Sequence, residues 1–333
     1  MRRLNPLVRP LSMAALALLA LGCRADTFAL PAPGDSLVGE LQTIRTVRSD
    51  MFPALGVRYN QGFGELKWAN PDVPPFTPGE GAQVVIPSQY VLPRAAREGI
   101  VVNAPEMRLY YYPKPKRGEP AFVITHPISI GREDWRTPHG VTSVVSKKTD
   151  PTWYPPASIR KEHAASGDPL PKAVPPGPDN PLGKYAMKLG LPGYLIHGTN
   201  KDYDIGMRVT HGCMRLYNHD IERLFPQVPV GTPVRIVNQP VKLGVHGEEL
   251  YIEVHPPLDE DQVGAQNEYQ RVVDAIVAVV GKRATSVNWN ALQAAISERR
   301  GIPVAIGRVA PVALPAPGPV QAGERPAGRS RRG

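Results

Sequence analysis

Cysteine is almost absent from this chain: its 333 residues contain only two, Cys23 near the N-terminus and Cys213 far from it. So few cysteines exclude a disulfide-stabilised scaffold and a cysteine-rich zinc domain. If the N-terminal segment that carries Cys23 is removed, Cys213 has no partner for a disulfide within the chain. A lone thiol is then either buried and inert or accessible and reactive, and its surroundings decide between the two.

Long apolar runs and a strongly charged body are lacking as well. After the first 25 residues no segment is long and apolar enough to cross a bilayer. Most of the formal net charge of +9 comes from the two ends, because the leader has four arginines and no acid and residues 307–333 add a net four. The nearly neutral body has no stripe of aromatic and basic residues, which excludes a nucleic-acid groove. Segment 307–333, rich in Pro, Ala, Gly and Arg, is predicted to be a disordered tail.

Residues 1–25 have the pattern of a secretory signal peptide. Arginines precede an apolar stretch at 11–21, and small residues end at Ala25. That stretch is too short to span a bilayer, so we expect export with cleavage after Ala25. The alternative is a lipoprotein with an acylated Cys23, but Ala20 stands where such signals usually have leucine.

The first folded unit is predicted over residues 41–88. It contains a strand, two helices and a second strand, at 43–47, 51–59, 64–69 and 84–87. This order, with Asn70-Pro71 after the second helix, resembles a LysM domain, a module that binds glycans containing N-acetylglucosamine. The sequence departs from that family at Arg48-Ser49-Asp50, where the usual turn is Gly-Asp. The alternative is a small α+β domain that only positions its neighbour.

A mainly β domain is predicted over residues 97–238, from short runs rich in β-branched and aromatic residues. The strands are expected at 100–103, 107–112, 122–125, 128–131, 140–146, 194–196 and 233–237. One helix follows Cys213, with Asn218 as its cap and Ile221 and Leu224 on its apolar face. Residues 150–181 are rich in proline and lack periodicity, which favours a loop that covers a binding cleft over a plain surface excursion.

Residues 239–306 are predicted to form a small helical domain after a strand pair between 241 and 254. Helices are expected at 268–280 and 288–300, each followed by a glycine that ends it. No chemistry can be assigned to this unit from its residues.

The candidate chemistry lies in Thr210-His211-Gly212-Cys213-Met214-Arg215, with a second histidine in His197-Gly198. A cysteine nucleophile requires a nearby base or cation, and histidine supplies either. The glycine beside each histidine suits a site where a substrate backbone passes closely. Three alternatives are a zinc site of His197, His211 and Cys213, which lacks a fourth ligand at a typical spacing, buried core positions, and a cysteine peptidase.

The two histidines, the glycines, Cys213 and Arg215 follow the order of the active-site motif of the L,D-transpeptidases, so this region resembles a YkuD-type domain. The resemblance extends over nearly the whole chain after residue 25, including 99–113 and 177–183. It is similar to periplasmic enterobacterial-type members, which implies a periplasmic location. The implied fold class is mainly β: a YkuD-type β-sandwich catalytic domain, a small α+β LysM-like N-terminal domain and a small helical C-terminal domain.

The resemblance also implies a reaction. Cys213 attacks the carbonyl that joins diaminopimelate to the terminal D-alanine of a peptidoglycan tetrapeptide stem, and an amine resolves the resulting thioester. The acceptor is a lysine of an outer-membrane lipoprotein, which overall resemblance favours, or diaminopimelate in a 3→3 cross-link. Carbapenem-type β-lactams acylate the cysteine of this family. No metal and no organic cofactor is expected.

The resemblance assigns roles to the site residues. His197 is the general base, oriented by a backbone carbonyl, and His211 stabilises the oxyanion with the amides around Gly212 and Cys213 and with Gly198. The substrate-binding candidates are Arg215, Arg208 and Thr210, which keeps the hydroxyl of the commoner serine. Structural pairing with an acid is the alternative for Arg215. Two other functions stay open: an L,D-carboxypeptidase or peptidase with water as acceptor, and a non-catalytic wall-binding protein, against which the intact motif argues.

Overall fold

The structure, a computed structural model, describes residues 26–261 and 265–311 of the chain. The predicted signal peptide, including Cys23, and residues 312–333 of the predicted tail lie outside these ranges. Within them, no helix combines the length and the apolar composition that crossing a lipid bilayer requires.

The N-terminal part contains the small α+β unit that the sequence predicts. Its elements in chain order are β1 (Asp26–Ala29), β2 (Leu37–Gly39), β3 (Gln42–Arg45), α1 (Phe52–Tyr59), α2 (Phe63–Ala69), β4 (Gln83–Ile86) and β5 (Gln89–Val91). The predicted order of strand, two helices and strand is confirmed as β3–α1–α2–β4, with β3 and β4 antiparallel. Phe52, Leu55 and Leu66 are buried in its core. The three unpredicted strands, β1, β2 and β5, are short, and their pairing is not local: β1 pairs with β8 and β2 pairs with β5.

The middle of the chain is mainly β, as predicted. Its elements are β6 (Gly99–Asn103), β7 (Arg108–Tyr112), β8 (Phe122–Pro127), β9 (Ile130–Gly131), β10 (Gly140–Thr149), α3 (Ala157–Ala165), β11 (Tyr185–Leu189), β12 (Leu195–His197), β13 (Arg208–Thr210), β14 (Met214–Arg215), α4 (Asn218–Gln227) and β15 (Pro233–Val237). Nine strands form one sheet in the order β1-β8-β7-β6-β15-β10-β11-β12-β14, and β9 pairs with β13.

Strand β10 divides the large sheet into two halves. Its first residues pair with β15 and its last residues pair with β11, with an irregularity between Val144 and Ser146. A bulge of this kind bends a strand and increases its twist. Side chains from both halves, such as Leu109 on β7 and Ile196 on β12, belong to one buried cluster. The two halves therefore enclose a common core, as the predicted β-sandwich requires.

Helix α4 begins differently from the prediction. Tyr217, not Asn218, is the residue that precedes the helix, and no side chain caps it. The Asn218 side chain instead accepts from the Thr199 amide at 3.2 Å and donates to the Thr199 carbonyl at 2.7 Å. Asn218 thus joins the start of α4 to the segment that follows His197.

Residues 150–181, called the cover below, are not a plain loop. They contain the unpredicted helix α3, of which only Ile159 is buried. Trp153 and Val174 form an isolated bridge, and the Asn180 side chain donates to the Pro151 carbonyl at 2.8 Å. Helix α3 has a weak apolar face, so the sequence lacks the periodic apolar residues by which a helix can be predicted.

The C-terminal unit is α+β, which corrects the prediction of a helical domain. Its elements are β16 (Val241–His246), β17 (Glu249–Val254), α5 (Ala265–Val280), β18 (Thr285–Val287), α6 (Trp289–Glu298) and β19 (Val304–Val309). Both predicted helices are confirmed, but they accompany a four-stranded sheet in the order β16-β17-β19-β18. Strand β19 also runs into the segment predicted as tail, since residues 307–309 pair with β17 and β18.

Buried ion pairs connect the middle β domain with its neighbours on both sides. Arg108 of β7 binds Glu65 of α2 with an Nε–Oε1 distance of 2.6 Å. Lys242 of β16 lies 2.8 Å from Glu106 and 2.7 Å from Glu253. Removing one member of such a buried pair leaves an uncompensated charge, which typically costs about 3–5 kcal/mol. These pairs hold the three units in fixed relative positions.

Candidate active site

Cys213 lies in the three-residue turn between β13 and β14, and the short strand β14 stands between it and helix α4. Gly212 has a φ of +100°, and a Cβ there would lie 2.6 Å from the Tyr194 ring. Glycine is the residue that tolerates both conditions. Thr210 Oγ1 donates to the Cys213 carbonyl at 2.6 Å and accepts from the Gly212 amide at 3.1 Å. The turn that presents the thiol is therefore fixed by its own hydrogen bonds.

The Cys213 thiol is partly buried and donates to the Gly193 carbonyl, with an S–O distance of 3.6 Å. Burial raises the pKa of this thiol, while a backbone hydrogen bond at Leu195 and the charge of Arg215 oppose the rise. The resting thiol is protonated at neutral pH for this reason. A base must take its proton before or during attack on a carbonyl.

His197 ends strand β12, and its ring is buried. Its Nδ1 lies 2.6 Å from the Gly198 carbonyl, which is the orienting carbonyl that the resemblance implied. Since a carbonyl only accepts, Nδ1 carries the proton and Nε2 is the basic nitrogen of the neutral ring. Burial and then the charge of Arg215 lower the pKa of His197 to about 3, against an opposing effect of the backbone hydrogen bonds at Gly198 and Leu182. The ring is neutral above that pH, as a proton acceptor must be.

Arg215 stands opposite His197 in the parallel pairing of β14 with β12. Its Nη1 lies 3.7 Å from a carboxylate oxygen of Asp204, so the predicted alternative of an acidic partner is present. Its Nε is buried without a hydrogen-bond partner among the residues that the structure describes. The guanidinium is therefore held in place by Asp204 and retains a donor for an anionic group.

His211 is held by contacts with the cover and with the segment after β9. Its Nε2 lies 3.1 Å from a carboxylate oxygen of Glu162 on α3, which also forms an ion pair with Arg132. The Trp135 ring packs against the imidazole at 5.1 Å between centroids with an interplanar angle of 72°. Burial is the largest cause of a lowered pKa for His211, and the Glu162 hydrogen bond opposes it.

A cleft of about 780 Å³ brings the motif residues together. His197, His211, Cys213 and Arg215 all line it. The cover contributes aromatic and apolar side chains to the same cleft: Trp153, Tyr154, Pro156 and Ile159. Residues of the cover therefore line the same cleft as the thiol, as predicted for a loop at a binding cleft.

The two glycines do not supply oxyanion donors as predicted. The Gly198 amide donates to the Tyr185 carbonyl at 3.2 Å, and a Cβ there would lie 2.5 Å from the Asn218 side chain. The Gly212 amide donates to Thr210, as described above. Both glycines are required by internal packing and not by a passing substrate. The Cys213 amide has no acceptor among the described residues, which leaves it available as a backbone donor.

Two predicted substrate-binding residues have structural contacts instead. Thr210 is buried, and its hydroxyl is occupied inside the Cys213 turn. Arg208 forms ion pairs with Asp259 at 3.2 Å and with Glu260 at 2.9 Å, so it joins β13 to the segment before the C-terminal helices. It does not line the cleft over the thiol.

Glu162, Asp204 and Trp135 were missed by the sequence reasoning. Glu162 and Trp135 contact His211 from distant parts of the chain, whereas Asp204 contacts Arg215 from nearby, and none of the three stands at a spacing that marks it. The acidic segment at 202–204, close before the motif, is the one local hint, because an arginine in a partly buried site needs a counter-charge.

Known proteins resemble the chain over the motif and far beyond it. A family model described as the L,D-transpeptidase catalytic domain, YkuD, matches residues 97–236. The chain is 41% identical over 310 residues to the probable L,D-transpeptidase YbiS of Escherichia coli K12, covering 90% of this chain and 99% of that protein. It is 42% identical over 305 residues to the probable L,D-transpeptidase YcfS of the same organism, covering 89% and 93%.

One solved structure is the NMR structure of the catalytic domain of the E. faecium L,D-transpeptidase acylated by ertapenem. It is 25% identical, covers 42% of this chain and 96% of that one, and has a TM-score of 0.31. A TM-score that low supports no conclusion about function.

Proposed function

The chain belongs to the L,D-transpeptidase family, and on that basis we propose that Cys213 is the nucleophile that carries the transferred acyl group as a thioester. The observation that carries this proposal is the arrangement of the thiol and His197 in one cleft, with the His197 Nδ1 fixed on the Gly198 carbonyl. This leaves Nε2 as the base for the only thiol among the described residues.

In the first step, Sγ of Cys213 attacks the carbonyl carbon between diaminopimelate and the terminal D-alanine of a tetrapeptide stem. Nε2 of His197 takes the thiol proton and delivers it to the nitrogen of D-alanine as the C–N bond breaks. A thioester and free D-alanine result. In the second step, a neutral amine attacks the thioester, its proton passes through His197 to sulfur, and the new amide leaves the enzyme.

The charge of the cleft supports an anionic substrate. Arg215 has a buried Nε without a partner among the described residues, and Lys148 and Lys188 are exposed along the cleft on β10 and β11. Peptidoglycan stems carry free carboxylates, which a guanidinium binds through paired hydrogen bonds. The Cys213 amide supplies one donor to the oxyanion, a contribution of about 2.7–4 kcal/mol in comparable sites.

The test is incubation of the exported protein with tetrapeptide muropeptides, with and without a lysine amide as acceptor, followed by mass spectrometry. We expect release of D-alanine and a product that carries the added amine. Cys213→Ala should give neither, whereas Arg208→Gln, which alters an arginine outside the cleft, should react like the wild type. Tripeptide as the sole product in both arms would indicate water as acceptor, and unchanged muropeptides would indicate a wall-binding protein.

For the natural acceptor we propose the ε-amine of a lysine on an outer-membrane lipoprotein, with diaminopimelate as the competing amine. The overall resemblance supports this choice. The thioester itself does not select between the two amines, because both attack it. Muropeptides from a strain that lacks the gene decide between them. Loss of lysine-bearing muropeptides is expected, whereas loss of 3→3 dimers with lysine-bearing species unchanged would contradict the proposal.

We also propose that the β3–α1–α2–β4 unit is a LysM-like glycan-binding domain and that the protein is exported to the periplasm. The strand and helix order supports the first proposal, and the pattern of residues 1–25 supports the second. Binding of the protein to insoluble peptidoglycan tests the proposed glycan-binding domain. N-terminal sequencing tests the proposed export: we expect a start at Asp26, and an acylated Cys23 would contradict it.

A further inference from the structure

Glu162 is the one acidic group in the cover that contacts a residue of the Cys213 turn. It lies on α3, and its Oε2 is 3.1 Å from Nε2 of His211, 49 positions along the chain. Its other carboxylate oxygen forms an ion pair with Arg132, which also binds Asp134 at 2.7 Å. The carboxylate thus has one oxygen on each of two partners, which fixes its orientation.

This contact determines how His211 can act. A carboxylate accepts, so Nε2 of His211 carries a proton and Nδ1 is the ring nitrogen that is not bonded to Glu162. For Nδ1 to donate to a developing oxyanion, the ring must take a second proton. A negative charge at Nε2 stabilises the doubly protonated ring, much as a buried aspartate stabilises the histidine of a serine protease triad.

We propose that Glu162 is a positioning residue for acyl transfer, which orients the His211 ring and stabilises its positive form when negative charge develops beside Cys213. The proposal rests on the function proposed above. It also connects the cover to the chemistry, because α3 must lie over the cleft for Glu162 to reach His211. The Trp135 ring also packs against the imidazole, which restricts its movement.

Several other titratable groups lie near His211. His163 of α3 lies 6.5 Å from it between ring centroids, and Arg132 and Arg215 both lower the pKa of His211 through their positive charge. The hydrogen bond from Arg132 is the main cause of the lowered pKa of the Asp134 carboxyl, and His211 adds a smaller effect in the same direction. Glu162 is the group among these whose hydrogen bond raises the pKa of His211.

The experiment compares Glu162→Gln with Glu162→Ala, with Asp134→Asn as the control that removes a second carboxylate on Arg132 without contacting His211. Acylation by a carbapenem is followed by intact mass, the His211 pKa by NMR of the histidine rings, and stability by thermal unfolding. We expect Glu162→Gln to slow acylation about tenfold and to lower the His211 pKa further at unchanged Tm, because the hydrogen bond that raises this pKa is weakened. Asp134→Asn should leave the acylation rate unchanged.

A structural role alone gives a different result. Glu162→Gln would then be acylated as fast as the wild type, with an unchanged His211 pKa, and only Glu162→Ala would be slow and less stable. That outcome overturns the proposal while the wild-type adduct still supports the nucleophile. Absence of any adduct on the wild type would instead contradict the proposed function and, with it, the role of Glu162 in acyl transfer.

Discussion

His197 and Arg215 occupy paired positions on two adjacent parallel strands, β12 and β14. The arginine lowers the pKa of the neighbouring imidazole, and its charge also opposes the rise in the pKa of Cys213. One side chain thus favours a neutral base and a more easily ionised thiol at the same time. This relationship connects the pairing of the strands directly with the chemistry of the site.

Replacing Arg215 should therefore make the thiol harder to ionise. In Arg215→Gln the pKa of Cys213 rises, because a positive charge that stabilises the thiolate is lost. The rate of alkylation by iodoacetamide, measured against pH, should reach its half-maximum at a higher pH than in the wild type. Cys213 is the single thiol after residue 25, so the label reports on it alone once the leader is removed. Arg208→Gln, the control, should leave the profile in place, and an equal shift in both variants would contradict the assignment.

The buried His197 should make stability fall as the pH is lowered. Its pKa is about 3 in the folded protein, below the ordinary value of 6.5, so the unfolded chain binds the extra proton first. The contribution of the neutral His197 ring to the free energy of unfolding is complete above pH 6.5 and is lost progressively between pH 6.5 and pH 3. In His197→Gln, which does not titrate, the Tm should fall less over this range. Equal falls in Tm for variant and wild type would show that His197 does not titrate with this shift.

Thr210 should prove to be a support of the Cys213 turn and not a substrate contact. Thr210→Val leaves the Gly212 amide without its buried acceptor, at a cost of about 1–3 kcal/mol, and loosens the turn that presents the thiol. We expect slower acylation by a carbapenem together with a lower Tm. Thr210→Ser keeps the hydroxyl and should restore both, so a slow Thr210→Ser variant at normal Tm would favour a substrate contact instead.

The sequence predicted those features that depend on neighbouring residues. The βααβ order of the N-terminal unit, the strands at 100–103 and 107–112 and the two C-terminal helices all follow from local patterns, and all are confirmed. The motif from His197 to Arg215 was found because its members are close together in the chain. Its histidine, thiol and arginine side chains line one cleft.

The features that the sequence did not predict depend on distant contacts. Strand β19 pairs with β17, more than fifty positions earlier in the chain, and β10 has an irregularity that no local pattern marks. Glycines beside histidines suggested a substrate channel, but Gly198 packs on Asn218 and Gly212 has a positive φ. Glu162 reaches His211 across 49 positions, which no spacing rule connects.

The central claim, that Cys213 is the acylated nucleophile, is tested most directly by intact-mass measurement after exposure to a carbapenem. We predict a single adduct on the wild type, its absence from Cys213→Ala, and severely slowed formation in His197→Ala. His211→Ala should retain faster acylation than His197→Ala, and the reverse order would exchange the roles of the two histidines. A carbapenem adduct on Cys213→Ala would contradict the claim itself.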